Sequence, residues 1–462
     1  MQYAFILGRV YTLSLAELCA VLDVMQVEYK ILACAPEVVV METSKPLNIQ
    51  NLQVRLGGTI KIIKVIDIFQ KKGKEMPSQV LETYFTFKRI KTEFFTEYSG
   101  KKQFGVSIYN LDPMARLHGE AQKIAFFIKK ILQDESQSVR AVIAQFPSQA
   151  LSSVLVNENN LLQKGAEIVV ISGNQKLFVG KTLSVQNYED YGRRDYQRPA
   201  RDERVGMIPP KVAQVMLNLA GPLKPLEYVL DPFCGSGTIL QEAILSGLRA
   251  VGSDLDKKAI ENSEINLEWF RNRYHVAPNR YKLFHSHAAE ISLQLPNYKI
   301  SAVVSEGTLG PIYGKLPSKK EQDANFKNLA KLYDQVFKEF LKFLSPGCKV
   351  VFCLPAYKTG QHEYEFMPSL DFALENGYTV VDQIKPDLKG KYKFLRVTDR
   401  KSIVYDRKDQ IVAREIIVFQ LPLPVDESAS PVEEATIDNS ETVVEGSADQ
   451  TTALEPETES NT

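Results

Sequence analysis

The chain has few of the residues that usually bind metal ions or cross-link a protein. Five of its 462 residues are cysteine and five are histidine. The cysteines show neither zinc-ligand spacing nor a disulfide framework; they are Cys19, Cys34, Cys234, Cys348 and Cys353. We therefore expect no metal site and reduced thiols in a cytoplasmic compartment, with Cys348 and Cys353 around one buried strand.

Long apolar runs are missing as well. No stretch approaches the length of about eighteen apolar residues that a membrane-spanning helix needs, and we find no signal-peptide pattern. Hydrophobic residues make up 44% and charged residues 24% of the chain, which is ordinary for a globular protein. The sequence predicts a soluble protein of about two to four domains without membrane contact.

Basic residues are absent from the last part of the chain. Residues 426–462 carry eleven acids and no lysine or arginine, so the remainder has 56 basic and 45 acidic residues. This positive excess suits an anionic partner. The segment 423–462 is rich in Ser, Thr, Glu and Pro. It has too little apolar surface to offset an ordering cost of about 1–2 kcal/mol per residue, so we predict that it is disordered.

The most specific pattern is DPFCGSGT, residues 231–238. It follows a short apolar stretch and precedes apolar residues at helical spacing, which predicts a strand, a glycine-rich turn and a helix. Gly235 and Gly237 would let backbone amides approach a ligand closely. A second predicted strand, 249–253, is followed by Asp254, nineteen residues after Gly235, where a carboxylate can accept hydrogen bonds from ribose hydroxyls.

Two other ligand classes fit this turn less well. A P-loop needs Lys and then Ser or Thr after its last glycine, but Thr238 and Ile239 follow Gly237. A dinucleotide turn needs a third small residue where Leu240 would crowd the helix against the sheet. A plain strand-helix turn with a capping acid is the remaining structural alternative.

The order acid-Pro-x-x-Gly-x-Gly-Thr resembles motif I of S-adenosylmethionine (SAM) methyltransferases. The resemblance implies that Asp231 holds the cationic end of the cofactor and that Asp254 accepts both ribose hydroxyls. It also implies that the turn lines the cofactor site through Cys234, Gly235, Ser236, Gly237 and Thr238.

Two α+β units are predicted before this turn. In the first, 1–85, a helix begins at Ser14 with Glu17 completing a capping box. Its predicted strands cover 3–7, 37–41 and 59–66. In the second, 86–186, a helix is predicted over 114–132 and strands over 104–109, 139–144, 168–172 and 177–185. The order of helices and strands in this second unit resembles the THUMP domain, an RNA-binding module. Residues 13–18 resemble part of the ferredoxin-like domain that precedes THUMP in one group of enzymes.

Residues 187–205 are predicted to form a linker. Five arginines and three tyrosines in it suit phosphate contacts and base stacking, and we take Arg193 and Arg194 as candidate substrate-binding residues. Five acids lie in the same stretch. A solvated linker whose charges pair with one another is therefore an equal alternative.

The segment 206–422 alternates strands and helices and predicts an α/β, Rossmann-like domain. We expect a mixed, mostly parallel sheet of seven strands. The strands are predicted at 228–230, 249–253, 281–284, 300–304 and 349–354, with an antiparallel edge pair at 378–381 and 412–419. A strongly amphipathic helix precedes the fifth strand and is stopped by Pro346 and Gly347.

Three motifs follow one another along the chain as they do in the THUMP-domain tRNA guanine-N2 methyltransferases, and the chain resembles that family. They are GMIPPK (206–211), NLAGP (218–222) and the glycine-rich turn with the acid that follows the next strand. The resemblance covers about 1–420. It implies SAM-dependent methylation of the exocyclic amine of a tRNA guanosine, with tRNA bound by the amino-terminal domains. Residues 206–211 would form a lid over the methionine end of SAM, a proline-started helix, or both. Whether an activator protein is needed is left open.

The sequence departs from this family after the fourth strand. The family has Asp-Pro-Pro-Tyr there, which gives the amine a carboxylate and a carbonyl as acceptors and stacks a ring on the base. Here the residues 305–311 are SEGTLGP. The resemblance places Glu306 at the acid and Gly307 at the carbonyl, while the ring is lost at a cost of about 1–3 kcal/mol of stacking. Tyr313 could supply another ring, and glycine predicts a looser loop.

A second departure follows the third strand. The family tends to place an Asp against the adenine amine of SAM, and His287 stands at that position here. A neutral imidazole nitrogen could still accept from the amine, but His285 and His287 are equally well explained as surface residues.

Three functions therefore stay open. The first is a tRNA guanine-N2 methyltransferase that uses Glu306 as amine acceptor. The second is a methyltransferase for another amine, such as adenine N6 in RNA or DNA. The third is an RNA-binding protein with a catalytically decayed methyltransferase domain, which the missing prolines and ring favour.

Overall fold

The computed structural model describes residues 1–72, 75–95, 102–112, 115, 117–145, 147–201, 207–408 and 410–423. The predicted disordered tail lies outside these residues apart from Leu423. Gly206 of the predicted lid and Met114, at the start of a predicted helix, also lie outside them.

The described residues before 187 form an eight-stranded sheet and its covering helices. The strands are β1 (Gln2–Leu7), β2 (Tyr29–Ala35), β3 (Val38–Thr43), β4 (Thr59–Gln70), β5 (Lys102–Asn110), β6 (Val139–Val142), β7 (Gly165–Ser172) and β8 (Lys176–Val185). The helices are α1 (Tyr11–Val24), α2 (Ile49–Arg55), α3 (Pro77–Val80), α4 (Phe87–Arg89), α5 (Glu120–Asp134) and α6 (Ser153–Glu158), with a π-helical turn over Ile90–Phe94.

One sheet spans both predicted amino-terminal units. Its order is β2-β3-β1-β4-β8-β7-β5-β6, and β4 of the first unit pairs antiparallel with β8 of the second. The fully buried Lys61 on β4 donates to Glu167 on β7 (2.5 Å), which also accepts from Ser107 and Thr182. These bonds satisfy a buried ion pair that would otherwise destabilise the sheet. The division into ferredoxin-like and THUMP-like domains stays a prediction.

Helix α1 begins at Tyr11, three residues before the predicted start, so the predicted capping box is wrong. Glu17 is fully buried instead and accepts hydrogen bonds from the backbone amides of Gly57 (2.8 Å) and Gly58 (2.7 Å). It also accepts from the side-chain amide of Asn218 (2.7 Å). Burial raises the pKa of Glu17 to about 7. This carboxylate therefore joins the first sheet region to the second half of the chain.

The second half begins with two helices, α7 (Tyr188–Tyr196) and α8 (Pro210–Leu219). The strands that follow are β9 (Tyr228–Asp231), β10 (Arg249–Asp254), β11 (Tyr281–His285), β12 (Ile300–Ser305), β13 (Lys349–Gly360), β14 (Glu363–Phe366), β15 (Thr379–Val380), β16 (Ile403–Tyr405) and β17 (Val412–Gln420). The helices among them are α9 (Thr238–Leu245), α10 (Lys257–Tyr274), α11 (Lys319–Phe340), α12 (Asp371–Leu374) and α13 (Pro386–Lys391), with 3-10 turns over Pro278–Arg280 and Ala288–Gln294.

The second sheet has the order β11-β10-β9-β12-β13-β17-β15. The first five strands are parallel, and β17 is antiparallel to both β13 and β15. The predicted mixed, mostly parallel sheet is confirmed, but it has nine strands rather than seven, because β14 pairs with β13 and β16 pairs with β17. The chain reverses direction across the sheet at β9, and such a point opens a crevice at the carboxyl ends of the strands.

Helices cover both faces of this sheet. On one face α8, α9 and α10 pack on Val229 and Ala302, and on the other α11 packs on Leu230 and Val303. The predicted linker contains helix α7, capped by the Asn187 side chain, which accepts from the Asp190 amide. Among the described helices, none combines the length and the apolar character needed to cross a bilayer.

Replacing Glu17 by alanine should remove the acceptor of three donors, two of them buried and one, the Gly58 amide, partly buried. We expect Glu17→Ala to lower the free energy of unfolding by about 2–4 kcal/mol in chemical denaturation, because each buried donor without a partner costs about 1–3 kcal/mol. The exposed Glu28, replaced in the same way, is the control and should change stability by about 0.5 kcal/mol or less. Equal effects of the two substitutions would contradict the role given to Glu17.

Candidate active site

The glycine-rich turn joins β9 to α9 at the carboxyl edge of the sheet. Gly235 and Gly237 both lie in the left-handed region, with φ of +52° and +85°. A Cβ added to Gly235 would meet no atom within 4 Å, whereas one on Gly237 would lie 3.1 Å from Ser263 Oγ. Glycine is thus favoured at both positions by conformation, and at Gly237 also by packing on α10.

Two fully buried polar residues of α10 hold this turn. Ser263 Oγ donates to the Gly235 carbonyl (2.7 Å), and Asn266 Nδ2 donates to the Ser236 carbonyl (3.0 Å). The sequence analysis missed both. The sequence feature that could have revealed them is a pair of polar residues on the same helix face as the apolar Leu267.

Asp254 lies beside the turn at the end of β10. Its Oδ2 accepts from the Gly235 amide and its Oδ1 from the Asp256 amide, both at 2.9 Å. Burial raises the pKa of this carboxyl. Each oxygen keeps further accepting capacity, so the carboxylate is oriented to bind a pair of hydroxyls.

Asp231 ends the neighbouring strand β9 and is 2% exposed. Its Oδ1 accepts from the Phe233 amide (3.2 Å) and from Ser305 Oγ (2.7 Å). Burial raises its pKa to about 7, and the nearby Asp254 and Glu306 add to the rise. No lysine or arginine in the described part of the chain pairs with it, so this carboxylate fits a cationic ligand.

Glu306 follows β12 and is held by an arginine that the sequence analysis missed. Arg414 Nε on β17 lies 2.6 Å from Glu306 Oε1, and the Arg414 side chain is 3% exposed. The sequence feature that could have revealed it is the single arginine in the mostly apolar predicted strand 412–419. Because β17 pairs with β13 and β13 with β12, the antiparallel addition to the sheet brings Arg414 to this site.

The loop after β12 is firmly held, which corrects the expectation that its glycine loosens it. Gly307 has φ of +66°, and an added Cβ would lie 2.7 Å from the Phe352 ring. Its amide donates to Ser305 Oγ (3.1 Å). The next two carbonyls accept from α11, Thr308 from the Tyr333 hydroxyl and Leu309 from Asn325 Nδ2 (3.2 Å).

Two predicted ligand contacts are not brought to this site. The Tyr313 ring packs edge-on against Tyr357, with centroids 5.9 Å apart. His287 Nδ1 accepts from the Ala289 amide (3.1 Å), which places the proton of a neutral imidazole on Nε2. Nε2 then donates and cannot accept from an adenine amine. His285 Nε2 lies 3.0 Å from the Leu255 carbonyl on the surface.

Arg194 is not available to a substrate, which corrects its predicted role. Its Nε lies 2.6 Å from Glu242 Oε1, it also bonds Asp190, and it is 3% exposed. The buried Glu242 on α9 requires a cation, and Arg194 provides it. Arg193 is partly exposed and pairs with Glu189 at 3.3 Å on the outer face of α7.

A cavity of 240 Å³ unites most of these groups. Its wall includes Met207, Ile208, Asp231, Phe233, Cys234, Gly235, Ser236, Thr238, Ile239, Asp254, Asp256, Lys258, Ala259, Asn262 and Glu306. A larger cavity of 630 Å³ between Arg9 and Asp406 contains no predicted site residue. We place the site at the smaller cavity because the ends of β9, β10 and β12 meet there. In the described residues, no group of three or more His, Cys, Asp or Glu is arranged to hold a metal ion.

Comparison with known proteins gives the class. Residues 194–380 match a family model described as an RMKL-like methyltransferase domain, and 61–265 match one described as DNA methylase. The crystal structure of TrmN from Thermus thermophilus shares the fold, with a TM-score of 0.50 and 14% identity over 91% of this chain and 100% of that one. The second half of the chain therefore has a Rossmann-like fold, and residues 194–380 within it are similar to methyltransferase domains, a class that uses SAM.

Individual related proteins are named for a narrower activity than the family models are. The tRNA (guanine(10)-N2)-dimethyltransferase of Methanothermobacter thermautotrophicus is 30% identical over 185 residues, 40% of this chain and 49% of that protein. The enzyme of the same name from Methanocaldococcus jannaschii is 27% identical over 44% of this chain and 56% of its own. The chain spans about half the length of these curated relatives. The chain is similar to these tRNA guanine-N2 methyltransferases over about two fifths of its own length, and the predicted resemblance is confirmed.

Alanine at Gly307 should be far more disruptive than alanine at another glycine of the same loop region. Gly307→Ala would force a positive φ and a 2.7 Å contact with Phe352, so we expect a loss of about 1–3 kcal/mol in the free energy of unfolding. Gly314→Ala is the matched control, because its Cβ would meet nothing within 4 Å. Thermal unfolding of both variants measures the difference, and equal midpoints would refute this account of the loop.

Proposed function

We propose that this chain is a SAM-dependent methyltransferase that methylates the exocyclic N2 amine of a guanine in tRNA. One observation carries the proposal: Asp231, Asp254 and Glu306, which end or follow three neighbouring parallel strands, line one cavity. The names of the related proteins supply the substrate and the position of the amine.

The residues of the cavity fit the cofactor. Asp254, oriented by two backbone amides, would accept the ribose hydroxyls. Asp231, buried without a cationic partner among the described residues, would bind the ammonium of the methionine moiety. Cys234, Gly235 and Ser236 would form the wall between them. When bound, SAM supplies a methyl group on a positively charged sulfur that an amine can attack.

Glu306 would act on the amine. An exocyclic amine is a poor nucleophile while its lone pair is conjugated with the base, and acceptors bonded to its hydrogens favour rehybridisation. Glu306 would accept one such bond and take the proton that the amine gives up. The Gly307 carbonyl is our second acceptor, because the carbonyls of Thr308 and Leu309 are already bonded to α11. Arg414 acts through Glu306 by fixing one carboxylate oxygen.

The tRNA would be bound by the amino-terminal sheet and by Arg193 on α7. Support comes from the THUMP-like order of elements over 86–186 and from the positive excess of the chain outside residues 426–462. Tyr313 would have to turn away from Tyr357 to stack on a base, so we do not assign it that role.

One observation favours a second candidate, an RNA-binding protein whose methyltransferase domain has lost activity. Glu306, which stands where the family has an aspartate, forms an ion pair with Arg414. This ion pair competes with a hydrogen bond between Glu306 and a substrate amine. The two candidates differ in whether methyl groups reach tRNA.

The decisive assay incubates the protein with tritiated SAM and unmodified tRNA, followed by nucleoside mass spectrometry. We expect N2-methylated guanosine from the wild type and a loss of about 100-fold or more in rate with Glu306→Gln, which accepts hydrogen bonds weakly and takes no proton. Glu363→Gln, an exposed glutamate on β14, is the control and should keep the rate. Methylated adenine would redirect the substrate assignment, and tRNA binding without label would establish the second candidate.

Cofactor affinity should weaken below about pH 7. The pKa of Asp231 is raised from 3.8 to about 7, so its carboxyl is neutral at lower pH and must lose a proton before it binds an ammonium. We expect the Kd for SAM to rise by up to about tenfold per pH unit below 7, and binding to release a proton there. Calorimetry in buffers of different ionisation enthalpy measures both. Asp231→Asn should bind weakly at every pH without this slope, whereas a flat profile for the wild type would count against Asp231.

A further inference from the structure

Arg198 lies behind the cavity wall with its charge uncompensated. It is 2% exposed, and its Nη1 donates to Thr238 Oγ1 at 2.6 Å. Its Nη2 lies 3.0 Å from Met207 Sδ, and its Nε, also buried, has no hydrogen-bond partner. Thr238 and Met207 both line the 240 Å³ cavity. The guanidinium therefore contacts two residues in the wall of the cavity that Asp231 also lines.

The acids around Arg198 do not neutralise it. Glu242 is bound by Arg194 through two nitrogens, at 2.6 and 3.3 Å. Asp195 acts on it only through space, and no ion pair to Arg198 is formed by the residues that the structure describes. A buried guanidinium without an anion is costly, and its donors require acceptors. This cost points to an anionic ligand.

Met207 marks the place where that anion would bind. Its thioether sulfur is contacted by Arg198 Nη2 at 3.0 Å and by Ser236 Oγ at 3.3 Å. A thioether is a weak acceptor, so two good donors converge on a group that serves neither well. A carboxylate oxygen at the same position would accept from both. Methionine is unbranched and adaptable, so its side chain can move aside at little cost.

We propose that Arg198 and Ser236 bind the carboxylate of the methionine moiety of SAM, taking the position that Met207 Sδ holds here. This inference rests on the proposed function. With Asp231 on the ammonium, the zwitterionic end of the ligand is held at both charges. The same guanidinium could bind a phosphate of RNA, but its contacts Thr238 and Met207 belong to the cofactor cavity, and the experiment separates the two anions.

The test uses calorimetry with two ligands, S-adenosylhomocysteine and its decarboxylated analogue, which keeps the ammonium. Arg198→Met should weaken S-adenosylhomocysteine binding by about 50-fold or more and the analogue by about threefold or less. Arg198→Lys, which keeps the charge without the fork, should fall between. Arg273→Met on the exposed face of α10 is the control. The wild type itself should prefer the carboxylate-bearing ligand by about 30-fold or more, a comparison that needs no variant to fold.

Equal losses for both ligands, or no loss for either, would overturn the inference while leaving the cofactor site intact. A drop in tRNA affinity with unchanged S-adenosylhomocysteine affinity would also overturn it and assign Arg198 to an RNA phosphate. A wild type that binds neither ligand would overturn the proposed function and this inference with it.

Discussion

The hydrogen bond from Ser305 to Asp231 is the interaction on which the site depends. Ser305 ends β12 and is fully buried, and its hydroxyl donates to the Asp231 carboxylate at 2.7 Å while accepting from the Gly307 amide at 3.1 Å. One hydroxyl thereby joins the residue that we assign to the cofactor to the loop that carries Glu306. Because this hydroxyl is buried away from water, its two hydrogen bonds hold the ends of β9 and β12 in a fixed arrangement beside the cavity.

Two other pairs of buried charges in the described residues are compensated by ion pairs. Lys61 pairs with Glu167 inside the first sheet, and Arg194 pairs with Glu242 under α9. Asp231 and Arg198 differ because each is at least nine-tenths buried and has no counter-charge among the described residues. They carry opposite signs and both adjoin one cavity. A ligand with an ammonium and a carboxylate would supply a counter-charge to Asp231 and to Arg198.

The loop after β12 shows how a diverged motif can keep its shape. The family holds this loop with two prolines, which restrict the backbone covalently. Here the loop is held by three hydrogen bonds: the Gly307 amide donates to Ser305 Oγ, and the Tyr333 hydroxyl and Asn325 Nδ2 donate to loop carbonyls. The Phe352 ring also lies so close to Gly307 that a Cβ there would clash with it. The acid of this loop, Glu306, is oriented by Arg414. The contacts of Ser305, Tyr333 and Asn325 thus fix the loop where the two prolines are missing.

Local pattern was sufficient for the α/β class, the main strands of the second sheet, the glycine-rich turn and the positions of Asp231 and Asp254. These features depend on periodicity and on backbone conformations that only glycine adopts readily, and both are visible within about twenty residues. The contacts of Arg414 with Glu306, of Ser263 with Gly235 and of Arg198 with Met207 depended on tertiary structure. Each joins groups from separate elements, so local spacing can mark an unusual polar residue but cannot identify its partner. Arg194 shows the same limit, since its ion pair with Glu242 joins α7 to α9, two helices that are separate in the sequence.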